Sequence, residues 1–175
     1  MRITTVATVI GLALLGTIAL AQNITYDFDR SAPFARSKTY SWVKGTPVND
    51  ALNDKRIVSA IDSQLAAKGF TKATESGAAD VLVAYHASFD KNLQINGFSS
   101  GFGGYRFGGS RTGRATLDQV TVGTIAVDLV DASNKTIVWR GLASGELDPR
   151  AKPEKREKNI KKAAAKLFKN YPPKP

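Results

Sequence analysis

Apolar and polar positions alternate through Ile24-Thr-Tyr-Asp-Phe-Asp29, the two-residue period of a half-buried strand. A turn around Pro33 comes next, and Lys38-Thr-Tyr-Ser-Trp-Val43 predicts a second strand with Tyr40 and Trp42 on one face. The period then changes. Ile57, Ile61 and Leu65 recur every four residues and make one apolar helical stripe, with Asp50 or Asn53 placed to cap its start. Lys68-Gly69 predicts its stop, a cation in the last turn followed by a residue free to take positive φ. Residues 79–89 are apolar on both faces near their start, as a central strand would be. Two more strands are expected over 118–130 and 136–147, joined by a turn at Asp131-Ala-Ser-Asn-Lys135 in which Asn134 can accept positive φ. A last helix, about 154–170, carries Ile160, Ala164, Leu167 and Tyr171 on its inner side. Tyr171-Pro-Pro-Lys-Pro175 cannot continue it.

The order is β-β-α-β-β-β-α. It predicts an α+β domain with a mainly antiparallel five-stranded sheet and two helices packed on one face. A long glycine-rich hairpin loop joins the third and fourth strands.

Charge and composition narrow the setting. Arg2, an apolar run from Ile10 to Leu20 and the small-x-small site Ala19-Leu20-Ala21 read as a removable export signal over residues 1–21. The expected mature start is Gln22, with one α+β domain over 22–171 and a proline-rich tail over 172–175. The apolar run is too short to span a bilayer comfortably, and no second stretch is long enough, so no transmembrane anchor is expected after cleavage. The chain contains no cysteine, which excludes disulfides, thiolate metal sites, cysteine nucleophiles and lipid attachment of the bacterial lipoprotein kind. The net charge of +10 is concentrated: from Arg150 to Pro175 ten Lys or Arg face only Glu154 and Glu157.

Four blocks together resemble a bacterial family known as domain of unknown function 4136. They are Tyr26-Asp-Phe-Asp29; Arg56-Ile57 through Leu65-Ala-Ala-Lys-Gly-Phe70; Ala79-Asp-Val-Leu-Val-Ala-Tyr-His86; and Gly123 through Asp128-Leu-Val-Asp131 to Val138-Trp-Arg-Gly141. The closing helix with Tyr171-Pro-Pro173 also fits, so the resemblance covers nearly the whole mature chain. It implies a small exported domain of the bacterial envelope, often a lipoprotein, with no assigned reaction and no catalytic set to carry over. The missing lipid-bearing cysteine departs from that pattern and favours a periplasmic or secreted protein that is not a lipoprotein.

Candidate chemistry is sparse. His86 is the only histidine, and imidazole titrates near neutrality, so it is the one general-base or metal-ligand candidate. Asp80 and Asp90 are the carboxylates near it in sequence. A strand histidine with an ordinary hydrogen bond is the simpler account, and neither a catalytic set, a metal site nor a cofactor is expected. Asp27 and Asp29, about 7 Å apart on one strand face, form a carboxylate pair that nothing polarises. The run from Gly97 to Arg114 is the most unusual feature. It lacks a phosphate-loop pattern, but Phe98, Phe102, Tyr105 and Phe107 with Arg106, Arg111 and Arg114 could stack on rings and pair with anions. A long loop without such a role is the alternative. Lys158, Lys161, Lys162, Lys166 and Lys169 form a basic helical face suited to an anionic glycan or lipid headgroup, or simply to solvation.

The resulting expectation is a non-enzymatic, envelope-associated binding or accessory module, whose partner is an envelope component or protein. The alternatives are an envelope-directed hydrolase and a polyanion binder for lipopolysaccharide or nucleic acid. Export argues against genomic DNA or RNA as a target.

Overall fold

The computed structural model describes residues 22–74, 79–97 and 115–174. The export-signal reading and the seven aromatic and arginine candidates between Gly97 and Ala115 lie outside them. Within them run β1 (Asn23–Phe28), β2 (Thr39–Trp42), α1 (Ala51–Ala67), β3 (Thr71–Lys72), β4 (Val81–Gly97), β5 (Ala115–Asp131), β6 (Ile137–Leu147) and α2 (Pro153–Leu167). The class is α+β, as the sequence indicates. The sheet has six strands rather than five, in the order β1-β6-β5-β4-β2-β3, and it is mixed. β1, β6, β5 and β4 pair antiparallel, whereas β2 runs parallel to both β4 and β3. The reason is connectivity. The chain leaves β2 through α1, a crossover that returns it in the same direction, so β2 cannot form a hairpin with β3 or β4. β3 is only two exposed residues, which carry no periodic signal.

Both helices cover one face. Ile57, Ile61 and Leu65 of α1 and Ala164 and Leu167 of α2 are buried against Val83, Val127, Leu129 and Trp139 of the sheet. Asp50 is the N-cap of α1, accepting from the backbone N–H of Leu52 and Asn53, and Gly69 takes φ +86° after its end. Beyond α2, Phe168 stacks on Trp139 with centroids 5.2 Å apart, and Tyr171 meets Trp139, Phe70 and Phe34 edge-on or tilted. Burial pushes the Tyr171 phenol up to about 12. In the turn after β5 the positive φ falls on Lys135, at 60°, one residue past the expected Asn134. Asn134 instead accepts from the backbone N–H and hydroxyl of Thr136.

Carboxylates fasten the parallel edge. Asp62 of α1 accepts from the Tyr40 hydroxyl at 2.7 Å and the Trp42 indole at 2.8 Å. The Tyr85 hydroxyl donates to Asp54, and burial, then that bond, raise its pKa to about 12. Asp80 joins the starts of β2 and β4: one oxygen accepts from the N–H groups of Lys38 and Thr39 and from the Thr39 hydroxyl. These bonds, the Lys38 N–H first, hold its carboxyl below the usual 3.8. A depressed carboxyl contributes stability that is complete above the unfolded-state value and lost as pH falls through the folded-state value. Asp80→Asn should therefore lower the urea midpoint near neutral pH and flatten its decline as pH falls below the unfolded-state carboxyl value. Asp29, Asp131 and Asp148 are also depressed and shape the same acid limb, so the difference between variant and parent isolates Asp80.

Candidate functional site

Strand alternation puts Trp139, Gly141, Val127 and Leu129 under the helices and turns Arg140 and Asp128 to the opposite face. There they are direct cross-strand neighbours, and Arg140 grips Asp128 with two bonds of 2.6 Å, Nε to Oδ1 and Nη2 to Oδ2. The Asp128 side chain is only 4% exposed and that of Arg140 46%. The carboxylate raises the guanidinium's pKa above its ordinary value, through the hydrogen bonds first. His86 stands diagonally across β4, its Nε2 3.7 Å from Asp128 Oδ2 and its Nδ1 3.1 Å from the Thr46 hydroxyl. Thr46 is brought there by a parallel bridge to His86, because the chain after β2 continues alongside β4. Gly45 makes that approach possible: a Cβ would lie 2.1 Å from the Tyr85 carbonyl oxygen.

Chemically this is an ion pair with a histidine beside it. Arg140 occupies both carboxylate oxygens, and 3.7 Å is beyond hydrogen-bond reach, so Asp128 does not orient the imidazole as a general base requires. Nor does Asp80, six residues before it in sequence, which is committed to β2. Sequence reasoning misses Asp128, Arg140 and Thr46 as a group, because their sequence separations from His86 carry no local signal. Asp27 and Asp29 also separate. Asp27 lies opposite Arg140 on β1 and accepts from the Phe28 N–H. Asp29 closes a turn by accepting from the Ser31 N–H and hydroxyl, which hold its pKa down. Asp27, Asp29, Ile137 and Arg140 line an open depression of about 320 Å³ at the β1 edge. No group of three or more potential metal ligands occurs among the described residues.

Two further features stand outside the core. The last β5–β6 pair is Thr121 with Leu147, yet β4 and β5 stay paired to Gly97 and Ala115. The hairpin thus continues for six residue pairs, about 20 Å, as a two-stranded ribbon. On α2, Lys158, Lys161 and Lys162 are exposed and Lys166 is half-buried, and Lys169, just past its end, is exposed.

This arrangement defines a small α+β domain of two helices on one face of an open mixed sheet. The chain belongs to the family described as Domain of unknown function (DUF4136), whose profile matches residues 24–173. No curated protein matches the sequence. Among solved structures it is similar to a DUF4136 family protein from Bacteroides thetaiotaomicron VPI-5482, at 17% identity and TM-score 0.54, over 86% of this chain and 96% of that one. It is also similar to PelC from Paraburkholderia phytofirmans, a dodecamer, at 11% identity and TM-score 0.52, over 85% of this chain and 95% of that one. A PDZ domain protein from Parabacteroides distasonis ATCC 8503 aligns at 14% identity and TM-score 0.58. That alignment covers 88% of this chain but only 37% of the longer protein. At these identities the likeness concerns the fold. No helix among the described residues is long and apolar enough to cross a membrane.

Proposed function

We propose that this chain is a non-enzymatic binding or accessory module of the bacterial envelope. It works in the periplasm or outside the cell after cleavage between Ala21 and Gln22, as one domain over 22–171. It engages an envelope component or protein partner through the segment between Gly97 and Ala115. The observation that carries this reading is the β4–β5 ribbon. A two-stranded ribbon is marginal in water and adds little to a core, so its length is better explained by what it presents. Between Gly97 and Ala115 the sequence holds Phe98, Phe102, Tyr105 and Phe107 with Arg106, Arg111 and Arg114, a combination suited to stacking and anion pairing. The hydrolytic alternative finds no orienting partner for His86 in the Arg140–Asp128 pair.

The test replaces residues 98–114 with Asn-Gly, a two-residue turn that suits the Gly97–Ala115 pairing. Circular dichroism and the thermal midpoint should stay close to the parent. Capture from envelope extracts should lose specific partners. An unchanged set of captured partners from a folded variant refutes the role of the segment.

A further inference from the structure

A second surface is independent of the ribbon. At 100° per residue, Lys158, Lys162, Lys166 and Lys169 fall within a wedge of about 80° and extend roughly 16 Å along α2 and its end. That wedge points away from buried Ala164 and Leu167. The neighbouring cations are partly spent: Lys161 pairs with Glu157 at 2.6 Å and Lys155 with Asp148 at 2.9 Å. None of the four wedge lysines joins an ion pair among the described residues, and Lys68 of α1 adds an ammonium at the far end by donating to the Lys169 carbonyl. Ala165 is the only apolar side chain between them, because the apolar stripe of α2 is consumed by the core.

We infer that this lysine ridge is an apposition surface for an anionic bilayer leaflet, holding the domain against the headgroups without insertion. Three features select a flat anionic surface over a chain-like polyanion. The ridge lies on the outer side of a single helix, a convex cylinder rather than a cleft between elements. It carries point-charge lysines and no Arg forks, which favour bidentate phosphate recognition. It has no aromatic side chain on which a sugar or base could stack. Insertion is disfavoured because α2 has no free apolar face to bury. Since both helices cover one face of the sheet, docking through α2 turns the Arg140–Asp128–His86 face away from the membrane.

The experiment uses residues 22–175, which hold every described element of the fold. The probe is vesicles of phosphatidylcholine with about one third phosphatidylglycerol, against vesicles of phosphatidylcholine alone, in cosedimentation at low and at physiological salt. Binding is expected on the anionic vesicles only and should fall steeply with salt. Each Lys→Gln change should lower the partition coefficient about fivefold. Lys158→Gln, Lys162→Gln, Lys166→Gln and Lys169→Gln together should lower it on the order of 10²–10³-fold. Circular dichroism confirms folding of each variant, and single or double variants supply the slope should the fourfold variant misfold. The protein with Asn-Gly in place of 98–114 should bind vesicles as well as the parent, which separates this surface from the proposed partner site. No binding to anionic vesicles at low salt, equal binding by the lysine variants, or binding to soluble polyphosphate but not to vesicles would each overturn the inference.

Discussion

Trp139→Ala should cost about 4 kcal/mol of stability, read as a shift of the urea midpoint, the largest effect expected from any single truncation here. Trp139 is 1% exposed and sits where β6, Phe168 and Tyr171 converge. Removing the indole takes the stacking partner from Phe168 and leaves a cavity that the sheet cannot close. Trp139→Phe should cost far less, about 1.5 kcal/mol or under. One reason is that the indole N–H has no hydrogen-bond partner among the described residues, so replacing it removes a buried donor that the protein does not pair there. The same ring dictates Gly141. A Cβ there would lie 2.4 Å from Trp139 Cη2 and 2.7 Å from Leu167 Cδ1, so Gly141→Ala should be disruptive in the parent. It should be tolerated better in the Trp139→Ala background, because the cavity receives the methyl. A double-mutant cycle checks this, and strict additivity would contradict the packing account.

Arg140→Ala is the second large effect, expected at about 3 kcal/mol. The cost comes from the partner left behind, since Asp128 would remain nearly buried with both oxygens stripped of charge-assisted bonds. The lower end of the range for buried pairs applies because the guanidinium is 46% exposed and water screens it. Replacing both residues with leucine should recover most of the loss, for a buried ion pair roughly breaks even against apolar side chains. The double variant also reads function. If Asp128 and Arg140 serve the fold alone, it retains every partner captured by the parent. Loss of a partner in that folded variant would make this face a binding surface in its own right.

Much of this fold is legible in single stretches of chain. The stripe Ile57, Ile61 and Leu65 is buried to 4%, 2% and 0% exposure, which matches its helical period. Asp50 caps and Gly69 terminates α1 because those tasks depend on nearest neighbours only. Tyr171 is readable as an inner residue because it continues the stripe of α2. The positive φ of the β5–β6 turn lies one residue beyond the position that sequence favours, because Asn134 is held as a side-chain acceptor instead.

The candidate site is far less legible. In the sequence His86 stands as a lone titratable group, with Asp80 and Asp90 as its apparent companions. Its actual neighbours are Asp128, two strands' length further along the chain, and Thr46, brought in past Gly45. Pairing across strands depends on register, and register is a property of the assembled sheet.

By itself, then, the sequence determined where α1 stops, which faces of each helix are apolar, that the class is α+β, and that the excess positive charge lies on the last helix, whose end at Leu167 falls three residues short of the expected 170. These outcomes rest on periodicity and on short-range capping and turn chemistry. Only the tertiary structure decided that β2 docks parallel to β4, that the β4–β5 hairpin outruns its neighbours, and that Arg140 seals Asp128 beside His86. Those depend on contacts between residues far apart in the chain, whose free energy exists only once the sheet has closed around its core.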